Sequence, residues 1–439
     1  MVEKIAEKVF KFSKAEQTEI LFYHTVDALT RFGQSQITQH VESDNQNMTI
    51  RMLDKKRTAS ITISNFSDSV IEKAVEQLYN ILNLQIPDER LSDLPENLNY
   101  KSELKQSDSF KNLDESIRSD FVKESVDYLK KESSIAAGIC SQTKSTITHM
   151  TNKNYSHTYH DWKFSYSLSA KNDYGITREE FNGTTLDNFN PEELAEKCIT
   201  SLKLLKNKKK IDAGKYDVIL TPSAFAELLV YLFYFSFSAK AYHEKRTFMV
   251  NKKGQQVFSP LLTILDNPRQ TEGPALYYDF EGSPTTNTVL VDKGICNNLV
   301  SNKYYSKILD IPNTGNCLSP TTLDCYPLRP EVLPGKKSLK TMIKESDNVL
   351  FINRLHYLNI IDPLSLMVTG MTRDGVFMIE KGQITKSTNN LRFTESILTA
   401  LSNIEELSSD LFECEYFIGL MKIPAVKIKN FNFSSATEF

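Results

Sequence analysis

The chain has 439 residues, of which 40% are hydrophobic and 24% charged, a balance typical of globular proteins with room for two or three cores. Its 52 Lys and Arg against 55 Asp and Glu give a formal net charge of -3 without a basic tail or stripe, so nucleic acid is not an expected partner. The six cysteines, at 140, 198, 296, 317, 325 and 414, form no CxxC pair and read as reduced thiols of a cytoplasmic protein.

The first residues are charged and amphipathic, without the apolar core of a signal peptide. Residues 3–14 place Ile5, Val9 and Phe10 at helical spacing, and 19–24 read as a strand. Stretches 29–37, 47–53 and 57–63 follow as a short meander with a hairpin turn at 54–56. Ser67 stands where a helix would be capped, since Val70, Ile71, Ala74, Val75, Leu78 and Leu82 share one face after it. From 83 to 112, with Pro87 and Pro95, no period is sustained, which predicts a surface connection.

A helix is expected over 113–130. The alternation of Trp162, Phe164, Tyr166 and Leu168 with Lys163, Ser165, Ser167 and Ser169 then predicts a strand with one buried face. Asn190 and Pro191 open a helix that turns Leu194, Cys198, Ile199, Leu202 and Leu205 inward. The lysine-rich 206–210 marks a domain boundary. Residues 225–237 form the longest apolar run, shorter than the roughly 20 helical residues a bilayer requires and interrupted by Glu227 and Ser236, so no membrane is expected. Beyond 214 the texture is short strands, at 216–220, 289–291, 376–379 and 418–428, with turns at 292–294 and 380–382. No repeat of solenoid length occurs.

Four stretches in order carry a resemblance. They are Thr30-Arg31-Phe32-Gly33-Gln34-Ser35-Gln36-Ile37-Thr38-Gln39; the run from Tyr216 to Pro222 with the helix after it and Val257 to Asp266; Asp279-Phe280-Glu281-Gly282-Ser283-Pro284-Thr285 leading to Val289 to Gly294 and Thr314-Gly315-Asn316; and Thr369-Gly370 with Gly375 to Ile384. Together they resemble the TldD/PmbA family of cytosolic peptidase-complex proteins over nearly the whole chain. The resemblance implies an α+β fold. An N-terminal α/β region (1–210, with subregions 1–85 and 113–210 joined by a connection 86–112) would precede a β-rich C-terminal domain (211–439) built on a curved, barrel-like antiparallel sheet. It also implies a dimer.

In the family's catalytic branch the helix after the second stretch carries His-Glu-x-x-x-His, two imidazoles for zinc and a glutamate as general base, because such spacing converges on one site. The resemblance puts Val230, Tyr231 and Phe235 at those three positions, and none is an imidazole or a carboxylate. With Phe225, Leu228, Leu229, Leu232, Phe233 and Tyr234 they make the helix apolar or aromatic nearly all round, which predicts burial on every side. Arg31, Asp279, Glu281, Gly282, Thr314, Gly315 and Asn316 are family-motif positions without an assigned role.

Other chemistry is sparse. There is no Gly-x-Ser-x-Gly elbow, Walker loop or dinucleotide fingerprint. Asp279 and Glu281 alternate ahead of Gly282 and Pro284, which favours a turn over acid–base work. His243-Glu244 lacks a second ligand and reads as a polar loop. His157 and His160, with Asp161 beside them, project to opposite faces of a strand, Cys317 reads as a partly buried free thiol, and Arg246 and Arg373 receive no role.

The leading expectation is a non-catalytic subunit, similar to PmbA/TldE, that pairs with a zinc-bearing TldD-like partner to act on unfolded peptides or peptide precursors, with no cofactor in this chain. One alternative is a self-sufficient homodimer that binds peptides or another ligand without cleaving them. Another is a peptidase with an unconventional metal site.

Overall fold

The computed structural model describes residues 1–103 and 106–436. Helix α1 (Val2–Phe12) buries Ile5, Ala6 and Val9, and strands β1 (Gln17–Gly33), β2 (Gln36–Asp54) and β3 (Arg57–Ile63) form an antiparallel meander. The strand expected at 19–24 and the first part of that expected at 29–37 are one, β1, which ends at Gly33; the chain then reverses at Gln34 and Ser35, which take φ of 49° and 59°, so that Gln36 and Ile37 already belong to β2. Polar residues between the two runs hid this continuity. Pairing on both sides carries the strand across them, with Asp27 opposite Ser43 on β2 and accepting from the Thr143 hydroxyl at 2.7 Å. Helix α2 (Asp68–Asn83) buries Ile71, Ala74, Val75, Leu78 and Leu82 against this meander.

The connection from 83 to 112 is more than surface chain. Strand β4 (Leu98–Lys101) adds in parallel to the sheet, and the single turn α3 (Asp108–Lys111) buries Phe110; Leu104 and Lys105 lie outside the described residues. A strand this short leaves no readable period. Helix α4 (Glu115–Lys131), capped by the Asp114 side chain, leads into the long strands β5 (Ile135–Thr151) and β6 (Tyr155–Asn172), then β7 (Gly175–Gly183) and α5 (Pro191–Leu205). The Asn190 side chain accepts from the Glu193 N–H at 3.0 Å and Pro191 opens the first turn of α5, as its sequence indicates. The sheet order is β3-β2-β1-β5-β6-β4, with β7 also on β6.

Strand β6 buries both its faces, in two halves. Trp162, Phe164, Tyr166 and Leu168 pack under α4 and α5, whereas Tyr155, His157 and Tyr159, of the opposite parity, are buried on the other face. Tyr159 packs there with Leu276 and Leu328 of the C-terminal half, so one face of the N-terminal sheet is the seat of the second domain.

Lys208 and Lys209, as the short strand β8 (Lys208–Lys209), already pair with that second domain. Strand β9 (Gly214–Leu220) precedes helix α6 (Pro222–Phe235), which opens on Pro222 and is capped by Thr221, whose hydroxyl accepts from the Ala224 N–H at 3.2 Å. Short elements follow: α7 (Ala239–His243), α8 (Met249–Lys252), β10 (Ile264–Asp266), β11 (Thr288–Asp292), β12 (Ile295–Cys296), α9 (Lys303–Leu309), β13 (Cys317–Ser319), β14 (Asp324–Cys325), β15 (Pro330–Val332) and α10 (Leu339–Lys344). The chain closes with β16 (Val349–Asp362), β17 (Met367–Glu380), β18 (Gln383–Thr388), β19 (Leu391–Ser396), α11 (Ile397–Ser402), β20 (Ile404–Leu407), β21 (Phe412–Tyr416), β22 (Gly419–Ile423) and β23 (Val426–Ala436).

Strands β16-β9-β23-β19-β17 run in that order and β17 pairs back onto β16, closing the barrel-like sheet that the sequence resemblance implies. Strand β9 lies inside it, with Val218, Ile219 and Leu220 all at 0% exposure. A second sheet, β12-β11-β10-β15-β22-β21, abuts the barrel, and both share one apolar core with α6.

Candidate functional site

Helix α6 is not buried on every side. Phe225, Leu228, Leu229, Leu232 and Phe233 are inside, but Ser223, Glu227, Val230, Tyr231 and Phe235 are only partly covered, and Tyr234 is 46% exposed. Tyr234 is aromatic yet outward because it stacks on Tyr326, with ring centroids 5.3 Å apart and planes 12° off parallel, and meets Phe417 edge-on. The helix packs on the barrel and β21 with one side and turns the other toward the N-terminal sheet.

Between them lies a cleft of about 310 Å³, lined by Ser141, Ser165 and Ser167 of β5 and β6, Arg178, Glu180 and Asn182 of β7, Ser223, Glu227 and Val230 of α6, Arg354 of β16, and Cys414 and Glu415 of β21. Such a volume is at the lower end for small-molecule sites, roughly 300–1,000 Å³. The serines of β6 that alternate with Trp162, Phe164 and Tyr166 therefore face this cleft and not open solvent. Its walls are tied together: Asn353 Nδ2 donates to the Arg178 carbonyl at 2.8 Å, Lys163 pairs with Glu415 at 2.9 Å, and the Thr184 N–H donates to Glu413 at 2.8 Å.

The charges in the cleft are arranged in pairs. Arg178 meets Glu180 at 3.2 Å, and Arg354 meets Asp374 at 3.0 Å. Glu227 has neither a hydrogen bond nor an ion pair among the described residues, and burial raises its carboxyl above the usual range while Arg354 pulls it down. The buried Arg178 Nε also lacks a partner. Burial pushes the Cys414 thiol up, so it is a poor nucleophile, and no histidine lines the cleft.

The zinc motif of the catalytic branch does not fit these residues. Val230 presents an alkyl group to the cleft, the Tyr231 hydroxyl donates to the Leu358 carbonyl, and the Phe235 ring stacks on Tyr231 at 6.3 Å and 16°. No group of three His, Cys, Asp or Glu among the described residues is placed to hold a metal ion.

The other family-motif residues gather elsewhere, in a buried polar junction between the two domains. Asp279 accepts backbone N–H bonds from Glu281 at 3.1 Å, Ser283 at 2.8 Å and Cys317 at 2.8 Å. Burial, with the neighbouring Glu281 carboxylate adding to it, raises Asp279 well above the ordinary range, and burial raises Glu281 as well, against the pull of Lys303. The turn reading of this pair accounts for the Asp279 contacts within 279–283, and the bond to Cys317 joins a distant strand.

Gly282 takes φ +77, and a Cβ there would lie 2.6 Å from Pro95, while at Gly315, φ +68, it would lie 2.3 Å from the Pro284 carbonyl. Thr314 exchanges bonds with Ser301, its hydroxyl accepting from the Ser301 N–H at 2.7 Å. Asn316 donates to Asp266, whose other oxygen accepts the Leu328 and Arg329 N–H groups at 2.8 and 2.7 Å. Beside them Glu19 of β1 is paired with Arg51 of β2 and His149 of β5; burial pushes its carboxyl up, but Arg51 and His149 outweigh this and hold it at about 2.

Arg31 stands apart, exposed near the β1–β2 turn, while its motif neighbours Thr30, Phe32 and Ser35 are buried. Ser35 Oγ accepts from the Ala136 N–H at 3.0 Å, fixing the turn to β5. His157 is buried and His160, on the opposite parity, meets the Thr146 hydroxyl at 3.0 Å, so the two do not converge. His243 ends the short helix α7 and Glu244 caps it, in place of the expected loop. Cys317 is fully buried, not partly, because the 279–283 turn closes over it; burial and the adjacent carboxylates raise its thiol strongly. Arg246 pairs with Glu244, and Arg373 lies 3.7 Å from Asp374. Sequence reasoning missed Arg178, Glu180, Glu227 and Arg354, whose only signal was the polar half of the β6 alternation on the wall they face.

No helix among the described residues is long and apolar enough to cross a membrane. The fold is that of TldE from Thermococcus kodakarensis, with a TM-score of 0.86 at 20% identity over 98% of this chain and 99% of that one. A Thermotoga maritima protein that carries a gyrase-modulator label matches with a TM-score of 0.85 at 18% identity over 99% of this chain and 100% of that one. By sequence, an uncharacterized protein of Methanocaldococcus jannaschii is 24% identical over 79% of this chain and 82% of its own length, and a metalloprotease PmbA homolog of Buchnera aphidicola is 23% identical over 56% and 50%. The family model of the PmbA/TldA metallopeptidase C-terminal domain matches residues 213–435, and the chain therefore belongs to the PmbA/TldD family.

Proposed function

We propose that this chain is the TldE-like, non-catalytic subunit of a cytoplasmic zinc metallopeptidase complex, paired with a zinc-bearing TldD-like protein and holding unfolded peptides or peptide precursors for it. The observation that carries this reading is the state of α6. The positions where the catalytic branch places two imidazoles and a carboxylate hold Val230, Tyr231 and Phe235, each engaged in packing or in a backbone hydrogen bond. A helix refitted in this way keeps a cleft of the right kind for an extended chain, with hydroxyls and an amide on one wall and ion pairs around it. It leaves water activation to another chain. Tagged protein captured from its native cytosol is expected to bring with it a homologue that carries His-Glu-x-x-x-His. Recovery as a stable homodimer with no such homologue would favour a self-sufficient binding protein.

A further inference from the structure

We propose that the cleft binds a primary ammonium group, the amino terminus or a lysine side chain of a peptide, against the carboxylate of Glu227. This rests on the reading that the cleft holds peptides, and it adds which part of the peptide is read. Two arginines and three glutamates line the cleft. Arg178 is committed to Glu180 at 3.2 Å, Arg354 to Asp374 at 3.0 Å, and Glu415 to Lys163 at 2.9 Å.

Only Glu227 among these charged lining residues makes no ion pair or hydrogen bond among the described residues; Arg354 and Arg178, each bonded to another carboxylate, favour its charged form without touching it. Its carboxyl is half-buried, so an unpaired charge there is poorly compensated by solvent, and a ligand that supplies a positive group gains what the fold leaves unmet. Ser223, one turn earlier on the same face of α6, offers a hydroxyl acceptor beside it. An ammonium donates three N–H bonds, which suits a carboxylate flanked by hydroxyls. Val230, one turn later, closes the site with an alkyl surface where the catalytic branch would bring zinc.

The test is calorimetric titration of the purified full chain at pH 7 with three probes: Ala-Ala-Gly-Ala amide with a free amino end, its N-acetylated form, and an N-acetylated Ala-Lys-Gly-Ala amide. Acetylation of the first is expected to weaken binding at least ten-fold, about 1.4 kcal/mol. Binding of the lysine probe as tightly as the free-amine probe assigns the site to any primary ammonium, and weak binding of it assigns the site to the amino terminus alone. In Glu227→Gln, shown to be folded by its thermal melt, the preference is expected to fall to within about two-fold. Equal binding of free and acetylated probes, or a preference that survives in Glu227→Gln, overturns the ammonium proposal and leaves the peptide reading intact. Failure of every probe to bind at millimolar concentration overturns both.

Discussion

Replacing Arg51 by methionine removes the guanidinium that holds Glu19 ionised inside the junction between the domains. Glu19 is 1% exposed, and its remaining partner is His149, 2% exposed, at 2.8 Å. Breaking a buried pair from one side costs about 3–5 kcal/mol, because the surviving charge has no water to turn to. The pH dependence gives a figure for Arg51 and His149 acting together against burial. The Glu19 carboxyl is held at about 2 in the fold and titrates near ~4.3 unfolded, a gap worth roughly 3 kcal/mol.

Because the folded value is the lower one, this stability is complete above the unfolded pKa and is lost as pH falls from about 4 toward 2. Urea unfolding at pH 7 is expected to show the single variant less stable by about 3–5 kcal/mol. The double variant Glu19→Gln/Arg51→Met, which leaves no orphaned charge, is expected to lose under about 2 kcal/mol. A single variant within about 1 kcal/mol of the parent, or a double variant less stable than the single, would refute the reasoning.

Gly315→Ala meets both a left-handed backbone and the Pro284 carbonyl at 2.3 Å, so it is expected to lower stability by about 2 kcal/mol or more, read as a drop in urea midpoint. Tyr231→Phe removes the hydroxyl from the Leu358 carbonyl but keeps the ring on Phe235, and a loss of about 1 kcal/mol is expected in the same assay. Glu227→Gln has the opposite sign. Burial raises this carboxyl in the fold, so its favourable contribution is present below the unfolded pKa and lost as pH rises through the folded one; the variant is expected to melt higher than the parent at pH 8 and level with it at pH 4.

Local signals in the sequence were strong wherever one residue type has one physical use. Asn190 and Pro191 announced α5, Lys55 and Lys56 formed the expected turn, and the aromatic half of β6 was legible from its period alone. What stayed hidden depended on distant partners. Strand β1 is continuous through Asp27 because β2 and β5 flank it, and β4 exists because β6 offers an edge. The cleft brings Arg178 of one domain beside Arg354 and Glu227 of the other, and no spacing along the chain encodes that meeting. The same holds for the junction, where Asp279 reaches the Cys317 N–H. The apolar outline of α6 suggested full burial because aromatic side chains serve equally as core and as the lip of a cleft.

The central claim is that this chain holds peptides and leaves their hydrolysis to a zinc-bearing partner. Cleavage of an unstructured peptide, followed with and without chelator for the chain alone, for the homologue carrying His-Glu-x-x-x-His alone and for the two mixed, tests it most directly. The account predicts no cleavage by the lone chain and chelator-sensitive cleavage by the mixture that exceeds that of the homologue alone. Chelator-sensitive cleavage by the lone chain, with stoichiometric zinc bound to it, would contradict it.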